Sequence, residues 1–233
     1  MERDKTAPLL YYYLLSPPCR AVLLLAKAIG VQLNLKVINI LEGEQFSDEY
    51  IKLNPQHTIP TLVDDGIVLT ESRAILGYLV DKYAEDDSLY PKDTTKRALV
   101  NQKLYFDMEL FSRFLIYFKP ILFSGNPPDS ADLEKIKESL GFLDQFLVGL
   151  SWSAGEDITI ADYALVATVS NVQVYHHHHQ LFPAWPGRAS LIKCLHFTLS
   201  LLHSSPLTFP LSAIYSYHLF LSLPCSPISM ESI

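Results

Sequence analysis

Three short stretches hold residue types that could do chemistry. The first is Ser16-Pro17-Pro18-Cys19-Arg20, directly after an apolar run. A serine followed by proline is a helix start, with Ser16 able to cap and proline at the first helical position. Helix starts favour anions, so the spacing leaves two roles open for that hydroxyl, plain cap or contact with a bound anion. Ser16 and Cys19 also have the spacing of a redox C-x-x-C motif with its first cysteine replaced. Disulfide exchange would need its nucleophilic thiol at the exposed first position, whereas Cys19, one turn in, suits a packed thiol. The second stretch, Asn54-Pro55-Gln56-His57-Thr58-Ile59-Pro60-Thr61-Leu62, runs from a polar loop into a short apolar strand. An X-Pro bond there suits a cis peptide, because proline lowers the trans preference to ~0.5–1 kcal/mol. A cis turn would leave the N–H and C=O of Ile59 facing outward, to be met by water or an extended, peptide-like ligand. An ordinary loop-to-strand turn fits the spacing equally well. The third stretch, Glu71-Ser72-Arg73, opens another helix.

The elements around these stretches follow from periodicity. Leu9 to Leu15 is an apolar, tyrosine-rich run of strand length. The helix after Ser16 runs through Ala21 to Ile29 and stops at Gly30. Leu35 to Ile40 is a second strand, Glu44 to Lys52 a short polar helix, and Thr61–Val63 with Ile67–Leu69 a hairpin through Asp64-Asp65-Gly66. Glu71 to Tyr83 carries a helical stripe at Ile75, Leu76, Leu79 and Val80. This order requires one parallel crossover and one antiparallel pair, hence a mixed four-stranded sheet with helices on both faces. Residues 85–93 are polar and contain Pro91, as a linker between domains would. Beyond it only helices are predicted: Thr94 to Phe123, with Pro120 kinking or ending it, then Ser130 to Gly149, then one opened by Thr159-Ile160-Ala161-Asp162. In that last stretch Thr159 and Asp162 form a capping-box pattern ahead of a helix apolar on nearly every side.

Composition narrows the classes. A chain of 233 residues, 49% apolar, can bury ample core. A net charge of −7 without a Lys/Arg cluster argues against nucleic acid or an anionic membrane as partner. Cys19, Cys194 and Cys225 are too few and too scattered for a disulfide framework, and the early apolar run meets Pro17-Pro18 and Arg20 without a cleavage site. A cytoplasmic location is the expectation.

Taken together, the Ser16–Arg20, Asn54–Leu62, Glu71–Ile75 and Thr159–Asp162 motifs resemble the soluble glutathione S-transferases, over residues 9 to about 173. The serine-proline-proline start, with Leu110-Phe111-Ser112-Arg113 to Pro120-Ile121-Leu122-Phe123, resembles the insect epsilon class first and the delta class second. The resemblance implies an α/β thioredoxin-like N-terminal domain (1–84), the linker 85–93 and an all-α C-terminal domain (94–173). It implies catalysis by Ser16, whose hydroxyl would hold the glutathione sulfur as a thiolate at the helix start. It further implies glutathione binding by Gln45, His57, Thr58, Ile59, Pro60, Glu71, Ser72 and Arg73. Glu71 would take the γ-glutamyl ammonium, Ser72 the adjacent carboxylate, Ile59 the cysteinyl amide and His57 the glycyl carboxylate. Gln45 stands where the epsilon pattern has a second histidine, so it brings an amide without charge. Phe111, Phe114, Leu115 and Phe118 would wall a pocket for a small apolar electrophile, although an aromatic stripe is also plain core. Thr159 and Asp162 would be a structural cap. Glutathione would be a co-substrate, with no cofactor and no metal, and the protein a homodimer. The competing readings are a thiol–disulfide oxidoreductase of the same fold and a non-catalytic glutathione-binding protein.

From Val174 onward only Arg188, Lys193 and Glu231 are charged, and prolines at 183, 186, 206, 210, 224 and 227 interrupt any period. No spanning helix fits such windows. His176 to His179 are adjacent imidazoles, yet the run does not read as a metal site. Against the resemblance, the helical domain is cut short, and 174–233 has the Leu/Ser/Pro/Phe bias of a retained intron or a shifted frame. An apolar tail of this kind is expected to expose sticky surface and to lower stability and turnover. Sequencing the transcript across the codons of Asn171 to Tyr175 is expected to reveal such a junction; an uninterrupted exon would remove the idea.

Overall fold

Leu9–Tyr12 (β1) and Asn34–Val37 (β2) pair in parallel, Leu10 opposite Leu35 and Tyr12 opposite Val37. Parallel neighbours need a crossover, which Pro17–Ala28 (α1) supplies. The computed structural model in which this is seen describes residues 7–124 and 129–179. β1 is shorter than the apolar run predicts. The Ser16 N–H donates to the Tyr13 carbonyl at 3.0 Å, and this turn feeds the chain into α1. β2 likewise ends before Ile40: past Ile38, the Asn39 carbonyl accepts from Glu42 and Glu44, and its side chain accepts from Leu41. The predicted helix over 44–52 is two pieces, a 3₁₀ turn Glu44–Phe46 and then Asp48–Leu53 (α2). Ser47 divides them, because it stands in extended backbone and its hydroxyl caps α2 at the Tyr50 N–H.

Thr61–Asp64 (β3) and Ile67–Leu69 (β4) form the expected hairpin. Its two-residue turn puts both Asp65 (φ 46°) and Gly66 (φ 82°) in the left-handed region, which matches the twist of the flanking strands. The sheet has four strands in the order β2-β1-β3-β4, mixed as predicted. Leu10 and Leu62 lie opposite each other on the face covered by α1 and by Ser72–Tyr83 (α3). On the other face Tyr11 meets the Tyr50 ring of α2 edge-on, with centroids 5.6 Å apart.

Thr94–Ser124 (α4), Ser130–Phe146 (α5) and Ile160–His179 (α6) complete the described chain. Pro120 does not end α4. The carbonyl it leaves unpaired belongs to Ile116, on an exposed side of the helix where water can reach it. α5 stops three residues before Gly149, through a turn in which Leu147, Val148 and Leu150 donate backward to Leu143, Gln145 and Leu147. α6 continues past 173 to His179, so the expected domain end falls inside a helix. The expectations for residues 180–233 lie outside the described residues.

α6 stands between two cores. Ile160, Ala161, Tyr163, Ala164, Val166 and Ala167 join Leu10, Leu25, Leu62 and Leu76 of the first domain. Leu165 and Val169 join Leu110, Phe114, Phe118, Ile136 and Leu140 between α4 and α5. A helix covered on both sides cannot satisfy its first N–H groups with water, so the protein must do it. Asp162 Oδ2 accepts from the Thr159 N–H (2.8 Å) and hydroxyl (3.1 Å), Oδ1 accepts from the Ser153 N–H (2.8 Å), and the Ile160 N–H donates to the Leu89 carbonyl (2.9 Å). The predicted Thr159/Asp162 cap is therefore formed, with Ser153 as an added donor. Asp162→Ala strands these buried donors and is expected to lower unfolding stability by about 3 kcal/mol in urea titrations. Asp162→Asn, which keeps an acceptor, is expected to lose about half as much.

Candidate active site

Ser16 is the N-cap of α1 by backbone geometry, yet its side chain makes no capping hydrogen bond. The reason is local. A capping hydroxyl accepts from the second or third helical N–H; Pro18 removes the second, and the third, on Cys19, makes no bond to the Ser16 side chain. The hydroxyl instead lies against the Cys19 thiol, and Ser16 is half-buried rather than enclosed. Cys19 is fully buried; burial pushes its thiol up to about 11, although the Ser16 hydroxyl, the Tyr13 backbone and the Arg20 charge pull it down. It is a packed neutral thiol, as its position in the sequence suggested.

The second stretch is held from beneath. The Ile59–Pro60 peptide is cis. Buried Asn54 donates through Nδ2 to the Thr58 carbonyl (2.9 Å) and the Thr61 hydroxyl (3.1 Å), while its Oδ1 accepts from the Gln56 N–H. The Tyr50 hydroxyl donates to the same Thr58 carbonyl at 2.6 Å. These bonds fix both sides of Ile59, whose own backbone N–H and C=O take no backbone partner among the described residues. The Tyr50 phenol, raised above its ordinary value by burial, also lies within electrostatic range of Cys19, so the loop and the start of α1 meet there. His57 is exposed at φ 45°, its N–H donating to the Asn54 carbonyl and its ring 4.9 Å from that of Phe46. Gln45 adjoins Phe46; its Nε2 donates to the Ile40 carbonyl at 3.4 Å, and its Oε1 is buried without a partner.

At α3, Glu71 is the exposed N-cap and Ser72 the buried first residue. Arg73 Nη1 donates to the Ser72 hydroxyl at 3.1 Å, which leaves the serine's own proton available. The rest of the Arg73 guanidinium turns to α4, donating through Nε (3.0 Å) and Nη2 (2.5 Å) to Asp107 Oδ2 and lying 5.5 Å over the Phe111 ring. Asp107 is wholly buried. Burial raises its carboxyl, Arg73 and the nearby Thr168 lower it, and Oδ1 is left without a hydrogen bond. The aromatic stripe of α4 splits. Phe114 and Phe118 are buried in the core against α5 and α6, while Phe111 and Leu115 keep surface.

Sequence reasoning assigned no role to Asp107, Tyr50, Asn54 or Arg20. Asp107 did leave a trace, an acid interrupting the buried Val100, Leu104, Leu110 stripe. Among the described residues no cluster suits a metal ion and no helix is long and apolar enough to cross a membrane.

A four-stranded mixed sheet carrying a serine at the first helix start, a cis-proline loop and an appended helical domain defines the class of thioredoxin-fold transferases. Residues 10–87 match the family described as "Glutathione S-transferase, N-terminal domain". Over 188 residues the chain is 48% identical to glutathione S-transferase D7 of Anopheles gambiae, covering 80% of this chain and 85% of that protein. A delta-class glutathione transferase of Nilaparvata lugens superposes with a TM-score of 0.73 at 44% identity, over 86% of this chain and 91% of that one. An epsilon-class glutathione S-transferase of the housefly Musca domestica gives 0.77 at 37% identity, over 92% and 97%. The chain belongs to the insect glutathione S-transferase family. Its function is that of a glutathione-using transferase rather than a disulfide oxidoreductase, in keeping with serine at position 16 and a buried Cys19.

Cys19 yields a pH prediction. A thiol raised on folding contributes stability below its unfolded value and loses it as pH rises toward the folded value, here about 11. Between pH 8 and pH 11 the wild-type chain is expected to lose up to about 3 kcal/mol more unfolding stability than Cys19→Ala, read by denaturant titration at each pH.

Proposed function

We propose that this chain conjugates glutathione to small apolar electrophiles, with Ser16 as the catalytic residue that donates a hydrogen bond to the glutathione sulfur. One observation carries the reading: the Ser16 hydroxyl stands at a helix start with no capping bond of its own, Pro18 having removed one of its two possible backbone donors. Lowering a thiol pKa of about 8.5 by two units takes roughly 2.7 kcal/mol. A charge-assisted hydrogen bond of ~1.5–3 kcal/mol with a helix-dipole contribution is sufficient for that. The thiolate then attacks the electrophilic carbon, forming a C–S bond as the leaving group departs with its electron pair.

Glutathione lies extended beside Ile59, whose backbone pairs with the cysteinyl amide; Pro60 and Thr58 shape that edge. Glu71 receives the γ-glutamyl ammonium, and the Ser72 hydroxyl and N–H receive the neighbouring carboxylate. Arg73 acts through Ser72, whose oxygen it already occupies. His57 and Gln45, on either side of Phe46, serve the glycyl carboxylate. Phe111 and Leu115 face the electrophile, with Phe114 and Phe118 as the rigid layer behind them. The active form is a cytoplasmic homodimer, a reading favoured by the exposed apolar residues Tyr105, Met108 and Ile116 of α4 and Ile67 and Val68 of β4.

Ser16→Ala is expected to raise the apparent pKa of the bound thiol by about two units and to cut kcat/KM at pH 6.5 by about 50-fold. The ultraviolet thiolate band on titration with glutathione reads the first effect directly. A wild-type level of thiolate in Ser16→Ala would end the assignment.

A further inference from the structure

The first two residues of α1 bring no N–H to the helix start, so part of the usual anion-favouring end of a helix is missing at the place where a thiolate must sit. Arg20 occupies the position that makes up for it. Its backbone N–H closes the first turn on the Ser16 carbonyl at 3.1 Å. Its guanidinium folds back under the turn that precedes Ser16, where Nη1 donates to the carbonyls of Leu14 (2.9 Å) and Leu15 (3.2 Å). Nη2 reaches the other way, to the Ala167 carbonyl (3.2 Å) and the Asn171 side-chain oxygen of α6. Ala167 and Asn171 are themselves buried, so the anchorage is firm.

We propose that Arg20 is a positioning residue for the transferase reaction: pinned to α6, its guanidinium holds the turn from Tyr13 to Ser16 and sets the Ser16 hydroxyl, with a fixed positive charge behind it, where the glutathione sulfur binds. The inference rests on the thiolate-stabilising role of Ser16 given above and adds the group that aims it. The four acceptors named here are uncharged carbonyl and amide oxygens. The guanidinium charge is felt at the helix start, since it pulls on the Cys19 thiol beside Ser16. Among the described residues, the other titratable groups that interact with that thiol are the phenols of Tyr12 and Tyr50, which burial holds above their ordinary value of 10.0 and which stay neutral between pH 6 and pH 9. Arg20 is therefore the charged group among them. Asn171 and Ala167 make the helical domain part of this alignment, although neither would touch substrate.

The experiment is the pH dependence of the thiolate band and of kcat/KM, in the full-length chain, for wild type, Arg20→Ala, Arg20→Lys and Asn171→Ala. Arg20→Ala is expected to raise the apparent pKa of bound glutathione by about one unit, so that kcat/KM falls about five-fold at pH 6.5 and recovers toward pH 9. KM for glutathione is expected to change less than about three-fold, because Arg20 touches no part of the tripeptide. Arg20→Lys, which keeps a cation but not the planar fork, is expected to fall between wild type and Arg20→Ala. Asn171→Ala is expected to lower kcat by a few-fold with a smaller pKa rise. A residue that only supported the fold would lower the rate equally at every pH. Folded Arg20 variants with an unshifted thiolate pKa would therefore overturn the proposal while leaving Ser16 in place. Should Arg20→Ala fail to fold, an unshifted pKa in both Arg20→Lys and Asn171→Ala would overturn it equally. Absence of a thiolate band in the wild type would overturn both this inference and the role of Ser16.

Discussion

The burial of α6 is the constraint on which the described structure depends. A helix pressed between the sheet-side core and the α4–α5 core contributes apolar contact in both directions, with each well-buried Ile, Leu or Val adding roughly 1.5–3 kcal/mol. The same burial denies its polar ends water. The carboxylate of Asp162, the Thr159 side chain and the carbonyl of Leu89 answer that need at the N-terminus. Farther along, Ala167 and Asn171 turn their oxygens to Arg20. One element thus closes both cores and reaches the segment that presents Ser16.

The site is assembled from backbone ends rather than from a cluster of reactive side chains. As proposed, it consists of a helix start at Ser16, a strand approach at Ile59 that has no backbone partner among the described residues, and a second helix start at Ser72. Each is positioned by a group one layer back: Arg20 under the first, Tyr50 and Asn54 under the second, Arg73 with Asp107 beside the third. Such an arrangement suits an extended tripeptide, which offers amides and carboxylates along its length and only one atom for chemistry. In the proposed reaction the Ser16 oxygen needs little help: the substrate brings the nucleophile, and the protein has only to favour its anion.

Most of the frame was legible in the sequence because it rests on local signals. Apolar runs, the Asp64-Asp65-Gly66 turn, the proline-led helix start and the Thr159/Asp162 pattern each act within a few residues, and the sheet and six helices follow from them. The departures occur where a distant or side-chain partner decides. The Tyr13–Ser16 turn cuts β1 short, and the Ser47 hydroxyl splits a predicted helix in two. The positioning groups were harder still to see. Arg20 meets Asn171 across 151 residues and Arg73 meets Asp107 across 34, and no periodicity encodes such pairings. The aromatic stripe of α4 was ambiguous for a different reason: burial of Phe114 and Phe118 depends on α5 and α6 covering them, which a single helical pattern cannot reveal.

The two prolines after Ser16 have an implication for how this enzyme family can vary. An imino acid at position 18 withholds one of the two amide hydrogens that could cap the Ser16 oxygen, and the other, on Cys19, makes no such bond. Any replacement that restores an amide hydrogen there would offer the serine a permanent companion. Such a chain would gain a sturdier helix end and lose part of its appetite for sulfur. Drift toward stability at that residue therefore runs against turnover, and the trade is decided by one hydrogen atom.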